Sequence, residues 1–373
     1  MSEVVHFRRT WARVDLDAIV SNYGYLKKVA GKARICPVVK ADAYGHGAVP
    51  VAKALEERAR ADIFAVSSLD EACLLRDAGI RAEIILLFGS EAGQLSLLSE
   101  RRFTPVVSSL RVLREMGEEA RRREVLFGLH LNFDTGMARL GLTVGEAGEA
   151  GRIFRENPFL KLTGVSMHFA RAGESREFTA LQLERFRSVL STFRDAGIDC
   201  GMIHAANSAA LLTEESARFD CARTGIALYG IRPEPDLDPE GILKPALEWV
   251  SAVLQVRNLE EGVPVSYGGR FVTKRPSRIA TVSVGYADGY RRSLGGAGEV
   301  IIRGRRLPVV GRVCMDLIMA DVTDAPGVSE GDEVILIGKR EGVEITAGEM
   351  ASWEDTIPYE ILCSIGCRVP RHY

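Results

Sequence analysis

Between residues 34 and 230, short apolar runs alternate with longer stretches whose apolar residues recur every three or four positions. The runs are RICPVVK (34–40), DIFAVSS (62–68), EIILLFG (83–89), FTPVVSS (103–109), LFGLHLNFD (126–134), LTGVSMHFA (162–170), CGMIHAANS (200–208) and CARTGIALYG (221–230). Such runs, rich in Val, Ile, Leu and Phe, read as strands buried on both faces. The stretches between them, such as SLDEACLLRDAG and FTALQLERFRSVLSTFRDAG, read as amphipathic helices closed by glycine. Repeated strand and helix units require a parallel sheet, and eight of them predict a closed (β/α)₈ barrel of the TIM type, with an open doubly wound sheet as the alternative. The pattern changes after RPEPDLDPEGILKP (232–245), a proline-rich acidic linker. Beyond it AVLQVRNL, RIATVSVGYA, EVIIRGRRLPVVGRV, LIMADVTD and DEVILIG follow one another with Gly and Pro between them. No long helical period returns, so the expected organisation is an α/β barrel over 11–240 and a mostly β C-terminal domain over 241–373.

Length and charge narrow the function. A chain of 373 residues exceeds what one core usually serves, in agreement with two domains. Its 48 basic and 50 acidic residues leave a net charge of -2, which gives no footprint for nucleic acid or an anionic membrane and leaves a small molecule as the expected partner. Seven cysteines, an odd number without a CxxC pair, suit reduced thiols in a cytoplasm. Cys363 and Cys367 lack metal-ligand spacing with His, so no metal is expected. The N-terminal segment lacks the long apolar stretch of a signal peptide and apolar runs such as IILLF are too short to span a bilayer, so a cytoplasmic location is expected.

In a parallel barrel, chemistry is carried at the C-terminal ends of the strands. Lys40 stands at the first of these, Arg139 at the fifth, His168 at the sixth, His204, Asn207 and Ser208 at the seventh, and Arg223 at the eighth. A lysine ending an apolar strand can simply snorkel to water. One that is desolvated beside other cations has a lowered pKa and can form a Schiff base with an aldehyde such as pyridoxal phosphate.

The segments VVKADAYGHG, DTGMARLG, HAANSAA, RTGIALYG, VSYGG, VGYADGYRR, GRVCMD and YEILCSIGCRVPR, in that order and spacing, resemble the alanine racemase family. The resemblance implies a pyridoxal 5'-phosphate barrel, a β-rich domain joined by residues 1–10, and a head-to-tail homodimer with shared active sites. It implies interconversion of L- and D-alanine, supplying D-alanine for peptidoglycan. Lys40 would hold the cofactor covalently. Tyr44, Ser208, the amides of Gly225 and Ile226, and Tyr359 would bind its phosphate. Arg223 would face the pyridine nitrogen; because arginine has only donors, that nitrogen would stay an acceptor, and side reactions such as transamination would be disfavoured. Arg139 would bond the cofactor's phenolic oxygen and the substrate carboxylate, and His168 would pack on or near the ring.

Racemisation needs proton exchange at both faces of the α-carbon, hence two bases. Lys40 would be one and Tyr267, from the partner subunit, the other. A tyrosine with a pKa near 10 is a poor base at neutral pH, and in the resemblance His204 links Tyr267 to the charge of Arg223. Met315, also reaching across the dimer, would offer its amide to the substrate carboxylate, while Tyr286 and Tyr359 would narrow the entrance. Three positions depart from the family pattern. Asn132 replaces a lysine that is sometimes carbamylated, Ala138 stands where glycine is common, and Arg270 replaces a smaller or polar residue. The alternatives are a serine or broad-specificity racemase, a fold-related pyridoxal decarboxylase, which would use a carboxylate in place of Arg223, and a non-catalytic pyridoxal-binding protein, which would lack the second domain.

Overall fold

In the computed structural model of the chain, which describes residues 9–234, 237–238 and 240–373, every one of the eight apolar runs coincides with or overlaps a strand. They are Arg34–Pro37, Ile63–Val66, Glu83–Leu86, Phe103–Val107, Phe127–Asp134, Leu160–Met167, Met202–His204 and Cys221–Thr224. The second to the seventh pair in parallel in chain order. A bridge from Val38 to Ala65 joins the first to the second. The Asp220 N–H to Ile203 C=O bond (3.0 Å) and the Arg223 N–H to Ala206 C=O bond (2.9 Å) join the seventh to the eighth. The eighth pairs with the first, Arg223 opposite Cys36. The barrel is therefore closed, and the open doubly wound sheet is excluded.

Burial follows from the unbroken apolar runs. Ile63, Phe64, Ala65 and Val66 are all fully buried, as strands covered on both faces require. A buried ring such as Phe64 contributes roughly 2–3 kcal/mol of transfer free energy. The helices start and stop where their sequences specify. Leu69–Asp77 is opened by a capping box between Ser68 and Glu71, and Arg176–Asp195 by the Ser175 side chain. Gly79 (φ 94°) and Gly197 (φ 69°) follow their ends in the left-handed region that glycine enters without steric cost.

Among the described residues, the second unit comprises residues 9–16, Tyr44–Gly47 and the stretch from Pro245 to Tyr373. Its longest strand, Leu247–Leu259, pairs antiparallel with Ser277–Val282 on one side and Glu333–Arg340 on the other, and shifts register in both pairings. Glu299–Ile302, Arg305–Val310 and Ile318–Asp321 complete the circuit, so this sheet also closes, in an antiparallel sense. The only α-helices among the described residues beyond Pro245 are Ala347–Ser352 and Pro358–Ser364.

The expected boundaries shift in three places. Trp11–Val14 belongs to the β-rich unit, not to the barrel half expected to begin at residue 11, because its hydrogen-bonding partners are Leu247–Leu259 and Arg371–His372. The division falls at Pro245, and Tyr44–Gly47 groups with the β-rich unit. Residues 1–8, expected to join that unit, lie outside the described residues, as do 235, 236 and 239 of the linker. No described helix is long and apolar enough to cross a membrane.

Candidate active site

Lys40 leaves the first barrel strand into an unusual turn. The four residues after it, Ala41, Asp42, Ala43 and Tyr44, all have φ between 50° and 55° although none is glycine. Left-handed backbone costs an L-residue roughly 1–2 kcal/mol, so the turn needs anchors. Glu71 Oε1 accepts the Ala41 N–H (2.7 Å), Asp42 Oδ1 accepts the Ala48 N–H (2.7 Å), and Ala43 N–H donates to Val39 C=O (2.9 Å). The other oxygen of Glu71 is fixed by the amides of Ser67 and Ser68 and the Ser67 hydroxyl. Lys40 Nζ lies 5.3 Å from the centre of the Phe88 ring, and the Arg139 guanidinium carbon lies 5.7 Å from the same centre. Two cations thus lie near one aromatic ring, each within reach of its quadrupole. Neither Glu71 nor Phe88 was expected; the run EIILLFG signals only a strand.

The turn that carries Arg139 is organised by Asp134. Its Oδ1 accepts the amides of Gly136 (2.8 Å), Met137 (2.8 Å) and Ala138 (3.1 Å). Partial burial would raise this carboxyl, but the three amide donors outweigh it and hold the pKa below the usual range. Ala138 sits at φ 55°, which explains why glycine would be at ease there. Asn132 donates from Nδ2 to Leu140 C=O (2.8 Å) and accepts from Ser166 Oγ (3.2 Å), so its amide ties this turn to the neighbouring strand.

Arg223 is buried without a carboxylate. Its Nη1 donates to His204 Nδ1 (2.7 Å) and His204 C=O (2.6 Å), and its Nη2 to Met167 C=O (2.7 Å), Ala205 C=O (3.3 Å) and His168 Nδ1 (3.4 Å). The Nε–H is the donor that no described residue takes. His204 Nδ1 must accept, so the proton of this neutral ring sits on Nε2 and is donated to His130 Nδ1 (2.9 Å). His130 was not foreseen, since a histidine inside LFGLHLNFD looks like one more inward-facing position. Gly164 makes room for it, because a Cβ there would stand 2.6 Å from the imidazole.

This chain of bonds corrects the expected role of His204. Both of its ring nitrogens are used inside the barrel and the residue is fully buried, so it cannot link Arg223 to a tyrosine outside. His168 meets the same guanidinium through Nδ1, and no described residue takes its Nε2.

Burial, then the Arg223 charge, pushes His130 down to about 3 and lowers His204 well below the usual histidine value. His168 also falls to about 3, through burial and then Arg223, Arg139 and Lys40. All three rings are therefore neutral in the folded protein at pH 7 and would protonate near 6.5 when unfolded. Between these values the unfolded chain binds more protons, so stability is full above about 6.5 and is lost as the pH falls. Urea unfolding from pH 7.5 to 4.5 should show uptake of about three protons on unfolding from these rings, a slope approaching about 4 kcal/mol per pH unit at its steepest. Stability independent of pH over that range would contradict the neutral assignment.

Ser208 is buried at the start of a short helix, Ser208–Thr213, and its Oγ accepts the amides of Gly225 (3.0 Å) and Ala227 (3.4 Å). Ile226 opens the turn Ile226–Tyr229. A hydroxyl and amides at such starts are the groups that bind phosphate. With the ammonium of Lys40 and the spare Nε–H of Arg223, the barrel offers donors to a phosphate, to a pyridine nitrogen and, covalently, to an aldehyde. That set fits pyridoxal phosphate.

The β-rich unit carries the remaining expected residues. The Tyr44 and Tyr359 ring centres lie 5.9 Å apart. Burial, then Tyr359 and Cys363, raises the Tyr44 hydroxyl further above its already high value, so it remains a donor at physiological pH. Tyr267 is 68% exposed and Met315 53% exposed, and Tyr286 is also exposed. The amides of Tyr286 and Ala287 donate to Cys314 C=O (3.0 Å) and Met315 C=O (3.0 Å), which places Tyr286 and Met315 on one hydrogen-bonded platform. The Cys314 thiol is half-buried beside Ser266 Oγ (3.6 Å), as befits a packing residue. Arg270 lies exposed three positions beyond Tyr267, and nothing in the structure assigns it a partner.

Comparison with known proteins covers nearly the whole chain. Residues 14–233 match the family model described as alanine racemase, N-terminal domain, and residues 246–373 that described as alanine racemase, C-terminal domain. An alanine racemase of Symbiobacterium thermophilum is 44% identical over 367 residues, which is 98% of this chain and 97% of that protein. The structure of the Bacillus anthracis alanine racemase with bound L-Ala-P superposes with a TM-score of 0.91 at 38% identity, covering 98% of this chain and 95% of the other. That of the Bartonella henselae alanine racemase with covalently bound pyridoxal phosphate gives 0.89 at 32% identity, covering 98% and 99%. Matched in both halves and along nearly its full length, the chain belongs to the alanine racemase family.

Proposed function

We propose that the chain interconverts L- and D-alanine with pyridoxal phosphate bound at the mouth of the barrel, through two bases on opposite faces of the substrate. Arg223 carries this reading: a buried guanidinium, fixed by carbonyls and imidazoles, with one donor left over. When bound, pyridoxal phosphate draws electrons from the α-carbon of an attached amino acid and acidifies its proton. Lys40 holds the cofactor and later moves a proton at Nζ. Arg223 would offer its Nε–H to the pyridine nitrogen, which a carboxylate, as in the decarboxylase reading, would instead hold in its protonated form. Ser208 and the amides of Gly225 and Ile226 hold the phosphate. Arg139 bonds the phenolic oxygen and the substrate carboxylate.

The second base is the Tyr267 hydroxyl, supplied with Met315 and Tyr286 by the partner of a homodimer. Large exposed side chains on a rigid platform support that reading, because such groups ordinarily meet something. His168 rather than His204 transmits the Arg223 charge to Tyr267, since its Nε2 is the nitrogen left over. The test is chiral chromatography of single L-amino acids incubated with the purified protein and pyridoxal phosphate. L-alanine should approach a racemic mixture, and L-serine in parallel defines the substrate range. Release of carbon dioxide in place of D-alanine would overturn the reading.

A further inference from the structure

We infer that Ser266 is a positioning residue that aims Tyr267 by locking a strained turn to the segment carrying Met315. The inference rests on Tyr267 being the base for one enantiomer.

Ser266 has φ 65° and ψ -176°. This region is essentially reserved for glycine, and another residue stays there only where its surroundings over-determine it. Those surroundings are present. Ser266 Oγ donates to Arg312 C=O at 2.7 Å and lies 3.6 Å from Cys314 Sγ, while Ser266 C=O accepts the Gly269 N–H at 3.2 Å. The approach to the opposite segment is so close that a Cβ on Gly311 would stand 2.9 Å from both Ser266 Cβ and Val265 C=O oxygen. The same segment, through Cys314 and Met315, holds the amides of Tyr286 and Ala287 at 3.0 Å each. Ser266 is thus the covalent neighbour of Tyr267 and the hydrogen-bonded neighbour of the Met315 strap.

The backbone direction at 266 sets where the side chain of 267 begins. Without the hydroxyl, only the Gly269 N–H bond to Ser266 C=O and the packing on Gly311 oppose relaxation of φ from its unfavoured region, and that relaxation would swing the ring. A glycine would accept the conformation without fixing it; the serine hydroxyl offsets the strain with one part-buried bond and so fixes it. A displacement of about 1 Å at a reacting group can cost on the order of a hundredfold in rate.

The test uses the holoenzyme of Ser266→Ala and Ser266→Gly, the second of which tolerates φ 65° and so keeps the turn sterically possible. Solvent deuterium exchange at the α-carbon is measured from L-alanine and from D-alanine separately, with Tyr267→Phe alongside. Exchange from L-alanine, the enantiomer whose exchange Tyr267→Phe is expected to silence, should fall about ten- to a hundredfold. Exchange from D-alanine, served by Lys40, should stay within about twofold. Equal losses from both enantiomers, or no loss, would overturn the positioning role even where Tyr267→Phe is one-sided. If Tyr267→Phe itself lacks one-sided behaviour, the assignment of Tyr267 fails and the role of Ser266 fails with it.

Discussion

Replacing Tyr267 with Phe should abolish racemisation yet leave solvent exchange at the α-carbon of D-alanine. The change removes one oxygen from a ring that is 68% exposed, so folding stability should change by less than about 0.5 kcal/mol, as for most surface substitutions. The loss is therefore chemical. A positioned base contributes about 10²- to 10⁴-fold, and that factor should vanish from the L-alanine face alone, because Lys40 belongs to a different strand end and a different anchor set. Equal loss of exchange from both enantiomers would argue for a single base that serves both faces.

The second large effect concerns shared sites. A Lys40→Ala protein and a Tyr267→Phe protein should each be inactive, for different reasons. In a mixed dimer, one site combines both defects while the other combines an intact Lys40 with an intact Tyr267. Half of the dimers are mixed after random exchange and half of their sites are whole, so about a quarter of the wild-type activity should return. Verified subunit exchange with no recovery would mean that both bases come from one chain.

The eight barrel strands were legible in the sequence because strands covered on both faces are written as unbroken apolar runs, and each run stands alone. Lys40, Arg139, His168, Ser208 and Arg223 could be singled out as candidates because each is a polar residue in or just beyond such a run, near the barrel mouth where chemistry is carried. What escaped was set by partners distant in the chain. Trp11–Val14 looks like the start of the barrel half until Leu247–Leu259 pairs with it. His130 reads as another core residue of its strand, and only the bond to His204 shows that it completes a relay. Glu71 went unread in SLDEACLLRDAG, where it closes a helix capping box, and its second oxygen braces the Lys40 turn. The outward link was carried to His204 by the resemblance alone; in the structure both of its ring nitrogens are engaged inside the barrel, whereas no described residue takes His168 Nε2.

Everything proposed for the barrel mouth depends on Lys40 being the lysine that carries the cofactor. Borohydride reduction of the holoenzyme, followed by proteolysis and mass spectrometry of the pyridoxyl-labelled peptide, addresses that directly. The label is expected on Lys40 and on no other lysine; a label elsewhere, or none in a protein that binds the cofactor, would contradict the assignment.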